Sequence, residues 1–129
     1  MKITDKEMAK DSETNLQELK DFVQRYCEDR DWGQFHNAKD LATALIIESA
    51  ELLEHFRYKS EKEVEELFKN PEKREHISEE MTDVLFPLLR LAQKYNVDLA
   101  DVFKRKMEKN AKKYPIDKAK GSNKKYSEL

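Results

Sequence analysis

Only five of the 129 residues are glycine or proline, and this scarcity restricts the fold more than any other feature. A β-sandwich or barrel needs turn chemistry every ~8–12 residues, which five such residues cannot supply. Gly33 and Gly121 stand far apart, so the clustered glycines of a phosphate-cradling loop are missing as well. Charged residues reach 40% and apolar ones 38%, a mixture that suits long amphipathic helices. The 12 aromatics, with many Leu, Ile and Val, are enough for a core. The chain is therefore expected to be all-α.

Hydrophobic spacing divides it into four to five helices joined by short connections, a helical bundle. Thr14 with Gln17 forms a capping-box pattern, after which Leu16, Leu19, Phe22, Val23 and Tyr26 recur at helical spacing to about Arg30. Asp31 to Asn37 reads as an aromatic, glycine-interrupted loop, and Asn37 caps a second helix from Ala38 to about Tyr58. Ser60 with Glu63 opens a short helix through Phe68. Asn70-Pro71 starts a fourth that runs to about Tyr95, with a kink or break expected at Pro87. Asp98 caps a fifth, which Pro115 stops. The expected organisation is a flexible N-terminus at 1–13, a helical domain at 14–115 and an extended basic tail at 116–129.

Several classes are excluded by counting. No apolar run approaches the ~18–20 residues of a membrane span, and Met1 to Lys10 lacks a secretory core. A cytoplasmic protein is the expectation. Cys27 is the only cysteine, so neither a disulfide framework nor a thiolate zinc site is available, and it reads as a packed helix residue. The net charge is -2, yet Lys104 to Lys125 holds ten Lys/Arg against two acids. An acidic body would repel nucleic-acid backbones, so no stable nucleic-acid partner is expected, while a basic segment beside acids suits a polyanion with its cations. A solvated helix face explains the charges equally well.

The second helix is largely apolar but is interrupted by Glu48 and Glu51 at i, i+3, which places both on nearly one face. Glu54 extends the row. The fourth helix repeats the pattern with Glu80 and Asp83. Four converging carboxylates need a cation, and oxygen-only ligation suits Mg²⁺, or alternatively Mn²⁺. On spacing alone, the same acids also fit solvent-facing sides. A di-iron bundle needs Glu-x-x-His, and none of His36, His55 or His76 has Glu three residues before it. His55 reads as an exposed side chain or as a partner behind the acids.

At these residues the chain resembles the MazG-type all-α nucleoside triphosphate pyrophosphohydrolases. Glu48-Ser49-Ala50-Glu51 and Glu80-Met81-Thr82-Asp83 match their E-x-x-E and E-x-x-D signatures. The resemblance extends to the dCTP pyrophosphatase branch over residues 14–129. Arg30-Asp31-Trp32-Gly33-Gln34-Phe35-His36 is similar to its R-D-W-x-x-F-H loop, and Lys106 to Pro115 to its K-x-x-x-N-x-x-[KR]-Y-P ending. Ser122 to Leu129 is similar to its S-x-K-Y-T-E-L tail.

The resemblance implies a Mg²⁺-dependent enzyme that splits a nucleoside triphosphate between α- and β-phosphates, yielding a monophosphate and pyrophosphate in nucleotide-pool sanitation. It implies metal ligation by Glu48, Glu51, Glu80 and Asp83, with Glu51 or Glu48 as the catalytic base. Lys106, Asn110, Lys113 and Tyr114 would bind phosphates, with Lys125 or Tyr126 closing over them. Trp32, Phe35 and His36 would hold the base. A slot bounded by Trp and Phe favours a pyrimidine, so dCTP or a modified pyrimidine dNTP is the first candidate and dUTP an alternative. A homotetramer built from dimers is implied too. The rival from another class is a non-catalytic helical oligomer that binds nucleotides or a protein partner; four retained acids and the basic ending argue against it. Tyr58 departs from a usual Trp, Pro87 from a usual Tyr, and Ala38 and Asp40 from a usual Pro and Asn. None of these removes a metal ligand.

Overall fold

Each long helix begins at a short polar side chain that satisfies its first free N–H groups. In the computed structural model, which describes residues 10–129, Asn37 Oδ1 accepts from the Asp40 N–H at 2.9 Å and so starts α2, with α1 lying before it. Among the described residues the six helices are α1 (Leu16–Asp29), α2 (Ala38–Glu54), α3 (Glu61–Leu67), α4 (Pro71–Lys94), α5 (Leu99–Lys113) and α6 (Ile116–Ala119). Among the described residues there is no strand, so the fold is all-α as expected. Ser60 and Glu63 form a full capping box at α3, Asn70 caps α4 with Pro71 at its first position, and Asp98 caps α5.

Several boundaries differ from expectation. Helix α1 is capped by Asn15, not Thr14: Asn15 Oδ1 accepts from Glu18 N–H at 2.9 Å, and its Nδ2 donates to Glu18 Oε1 at 2.9 Å. The amide makes both halves of the exchange one residue later. Helix α2 ends at Glu54, and the chain then turns through Tyr58 at φ 61°. No break occurs at Pro87, where α4 continues unbroken with the ring buried. A proline removes one backbone donor, and packing on its neighbours carries the helix past that gap. The segment after Pro115 is not simply extended. The Pro115 carbonyl accepts from Lys118 and Ala119 N–H groups, which nucleates α6, and Tyr126–Glu128 forms a 3₁₀ turn. Of the N-terminal stretch, residues 1–9 lie outside the described residues, and Asp11–Glu13 is a 3₁₀ turn.

The chain forms two compact units, the first ending at Asn96 and the second spanning Val97–Leu129. In the first, α4 packs against both α1 and α2. Its core joins Phe22, Val23 and Cys27 of α1, Leu41 of α2, Leu67 of α3, and Ile77, Leu89 and Ala92 of α4. Asn96, at φ 55°, ends α4 in the left-handed conformation that Asn tolerates. The second unit contains α5, α6 and the terminal 3₁₀ turn.

Ile77 has no solvent-exposed surface. Ile77→Ala should therefore destabilise the fold by about 2–5 kcal/mol, measured by urea unfolding. A loss under about 0.5 kcal/mol, typical of surface changes, would mean that this part of α4 is not core.

Candidate metal and nucleotide site

Because α2 and α4 pack together, their acidic rows meet. Glu48, Glu80 and Asp83 each offer a carboxylate oxygen, and these atoms all lie within 4.8 Å of one another. Glu48 and Glu80 are half-buried. Glu51 stands one turn along α2, exposed, and is hydrogen-bonded to Glu48. The Glu48 carboxyl is pushed above its ordinary value, first by burial, then by the hydrogen bond to Glu51 and the charges of Glu51, Asp83 and Glu80.

Glu80 carries a second sign of an incomplete set. Its Oε2 is buried with no hydrogen-bond partner, while its Oε1 lies 3.8 Å from His55 Nε2. Buried polar atoms are rarely left unpaired. A hard cation between these oxygens would satisfy Oε2 and offset the carboxylate repulsion, and an all-oxygen donor set fits Mg²⁺ or Mn²⁺. His55 thus stands against the acids and not out in solvent. Glu54 is drawn away by Arg57, at 3.0 Å, and takes no part.

The aromatic loop is anchored to the same first unit. Asp31, at φ 53°, turns the chain from α1 into the 3₁₀ segment Trp32–Phe35. Trp32 meets His36 edge-on with centroids 6.3 Å apart, and its other face neighbour is Tyr26 at 5.7 Å. Tyr26 in turn contacts Phe86 at 5.8 Å and carries the Arg30 guanidinium 3.6 Å above its ring. Trp32 and His36 are thus brought together, whereas Phe35 is 63% exposed and makes no ring contact with either. Phe35 neither plugs the bundle end nor closes the slot within this chain. Tyr58 is 90% exposed and pairs with Arg57.

From α4, three side chains hold the loop. Arg90 Nε donates to His36 Nδ1 at 3.0 Å, the Lys94 ammonium donates to the carbonyls of Gly33 and His36, and the Tyr95 hydroxyl accepts from Ala38 N–H at 2.9 Å. A proline at 38 could not make that last bond. Burial and then the charges of Arg90 and Lys94 lower the His36 pKa below its ordinary value. Neither Tyr26 nor Arg90 was expected at the site from sequence. A lone arginine inside the apolar run Leu85 to Ala92 was the available signal.

In the second unit, Lys113, Tyr114 and Tyr126 cluster. The Tyr114 hydroxyl accepts from Tyr126 N–H at 3.3 Å, the two rings meet edge-on at 6.1 Å, and the Lys113 ammonium lies 4.8 Å from the Tyr126 ring centre. Lys106 and Asn110 precede them on α5 at i, i+4 spacing, while Lys125 opens the terminal turn.

The MazG-like family model matches residues 44–129, and the chain belongs to that family. It is similar to dCTP pyrophosphatase 1 of Bos taurus, 35% identical over 118 residues, which covers 92% of this chain and 70% of the relative. It is also similar to the Homo sapiens enzyme of that name, 36% identical over 117 residues, or 91% and 69% of the two chains. Among solved structures, a pyrophosphatase from Archaeoglobus fulgidus matches with a TM-score of 0.72 at 38% identity, covering 78% of this chain and 92% of that one.

Glu48→Gln removes one charge from the triad at constant size. It should raise the melting temperature of the metal-free protein and weaken Mg²⁺ binding by at least about tenfold, the loss seen even for outer partners of a metal ligand. Calorimetric titration and thermal melts read both effects. Unchanged Mg²⁺ affinity would remove Glu48 from the ligand set.

Proposed function

We propose that this chain is a metal-dependent nucleoside triphosphate pyrophosphohydrolase that converts a pyrimidine deoxynucleoside triphosphate, dCTP before others, to the monophosphate and pyrophosphate. The observation that carries the reading is the convergence of Glu48, Glu80 and Asp83, with Oε2 of Glu80 left unpartnered. The dCTP pyrophosphatase relatives support the substrate class. Such an activity clears unwanted nucleotides from the pool, in the cytoplasm. Among the described residues no helix is long and apolar enough to cross a membrane.

The roles follow from the chemistry of the groups. Glu48, Glu80 and Asp83 hold the cation, with Glu51 completing the set or standing beside it. Mg²⁺ bound there offsets phosphate charge and makes water a better nucleophile. Glu51, exposed and hydrogen-bonded to Glu48, takes the attacking water's proton. Lys106, Asn110, Lys113 and Tyr114 bind the phosphates, and Lys125 and Tyr126 close over them. Their cations stabilise charge that develops on the departing pyrophosphate. Trp32 stacks on the base, a contact worth roughly 1–3 kcal/mol in nucleic-acid binders; His36 reads its edge, and Phe35 completes the slot in the assembly.

The assembly is a homo-oligomer, a tetramer built from dimers. Only Leu41 of α2 is buried, while Ile46, Ile47 and Leu53 remain 71%, 52% and 62% exposed. Met81, Leu85 and Leu88 of α4 are also exposed. Apolar surface on this scale calls for a cover. Multi-angle light scattering at micromolar concentration should return a multiple of 15.4 kDa; a monomer would overturn the assembly.

Incubation with each dNTP and Mg²⁺ should release pyrophosphate as the first product, fastest from dCTP, and EDTA should abolish it. Activity that survives full chelation, or orthophosphate as first product, would sink the reading. Trp32→Ala should lower kcat/KM for dCTP by roughly tenfold or more, following the stacking energy above.

A further inference from the structure

Arginine is rarely buried without a partner, yet Arg90 is only 6% exposed within the apolar stripe of α4. Among the described residues no carboxylate pairs with it. Its hydrogen bonds go to two neutral acceptors, His36 Nδ1 at 3.0 Å from Nε, and Gln93 Oε1. A guanidinium has donors and no acceptor. The imidazole nitrogen facing it must therefore carry a lone pair, and a neutral His36 must hold its proton on Nε2.

We propose that Arg90 is a positioning residue for base selection: its hydrogen bond to His36 Nδ1 fixes the Nε2–H tautomer, so the loop offers the base a permanent hydrogen-bond donor. The proposal rests on the reading of Trp32 and His36 as base-binding residues. Other observations support it. Lys94 pins the carbonyls of Gly33 and His36 from one turn further along α4, so the ring is held at its backbone as well as its edge. Trp32 stands edge-on against the imidazole, and no described residue hydrogen-bonds Nε2. The charged groups that face His36 are Arg90 and Lys94, both cations on α4. With burial they disfavour imidazolium, which keeps the ring neutral at pH 7.

A fixed donor selects by chemistry. On the pairing edge of a pyrimidine, cytosine presents lone pairs at N3 and O2, whereas thymine and uracil carry N–H at N3. A donor set against N3 accepts cytosine and opposes the other two. Sites that hydrogen-bond a substrate atom reject analogues lacking the match far more strongly than apolar pockets do. The reverse tautomer would turn an acceptor to the base and invert the preference. Arg90 thus decides which pyrimidine is read, although it is a helix residue that need not touch the nucleotide.

The first test is nitrogen-15 NMR of the histidine side chains in the wild-type protein at pH 7. His36 should show an unprotonated Nδ1 and a protonated Nε2; a protonated Nδ1 would overturn the proposal whether or not any activity is found. The second uses Arg90→Met, with Arg90→Lys as the variant that keeps charge but loses the Nε–H donor. Either folded variant should show mixed His36 tautomers. The ratio of kcat/KM for dCTP over dTTP should fall about tenfold, mostly through a higher KM for dCTP. Continued pyrophosphate release with an unchanged dCTP to dTTP ratio would defeat the proposal and leave the enzyme reading intact. Absence of hydrolysis with every nucleotide would defeat the enzyme reading, while the NMR result still decides the tautomer.

Discussion

Three carboxylates within 4.8 Å of one another repel, and the first unit is organised around holding them there. Packing of α2 against α4 supplies the force. Ile77, fully buried one turn before Glu80, seats α4 in the core, and Leu41 seats the start of α2. Burial and the neighbouring acids push the Glu48 carboxyl above its ordinary value, and Oε2 of Glu80 is buried without a partner. A cation binding there gains what the fold has already spent in assembling its ligands.

Helix α4 joins the two halves of the chemistry within that unit. Glu80 and Asp83 lie in its middle, while Arg90, Lys94 and Tyr95 clamp the aromatic loop from its last turns. A continuous helix keeps the two groups at a set separation, about 1.5 Å per residue. This is why its passage through Pro87 matters: a broken helix would uncouple the position of the aromatic loop from that of the carboxylates. The neighbouring contacts of Phe86 with Tyr26 and of Tyr26 with Trp32 tie the same stretch to α1 and the loop.

The open apolar face of α2 has a different consequence. Of its 17 residues only Leu41 is fully buried, and Ile46, Ile47 and Leu53 stay exposed, a surface that the proposed assembly would cover. Membership of the MazG-like family and the similarity to a solved pyrophosphatase at TM-score 0.72 both rest on this helical framework.

Much of this was legible in the chain itself. Scarce glycine and proline, 3.6-residue apolar spacing and the caps Asn37, Ser60, Asn70 and Asp98 determine helices locally, because capping and periodicity are settled within a few residues. The spacing of Glu48 with Glu51 and of Glu80 with Asp83 is likewise local, so the acid pairs could be read directly. What lies across the fold could not. That Glu48, Glu80 and Asp83 share one centre while Glu51 stands beside it depends on how α2 is rotated against α4. His55 beside Glu80 and Arg90 against His36, the latter 54 residues apart, depend on tertiary packing alone. Nor does periodicity foresee that Asn15 outcompetes Thr14 as a cap, or that α4 survives Pro87. Sequence spacing sets which side chains share a face; only packing decides which faces meet.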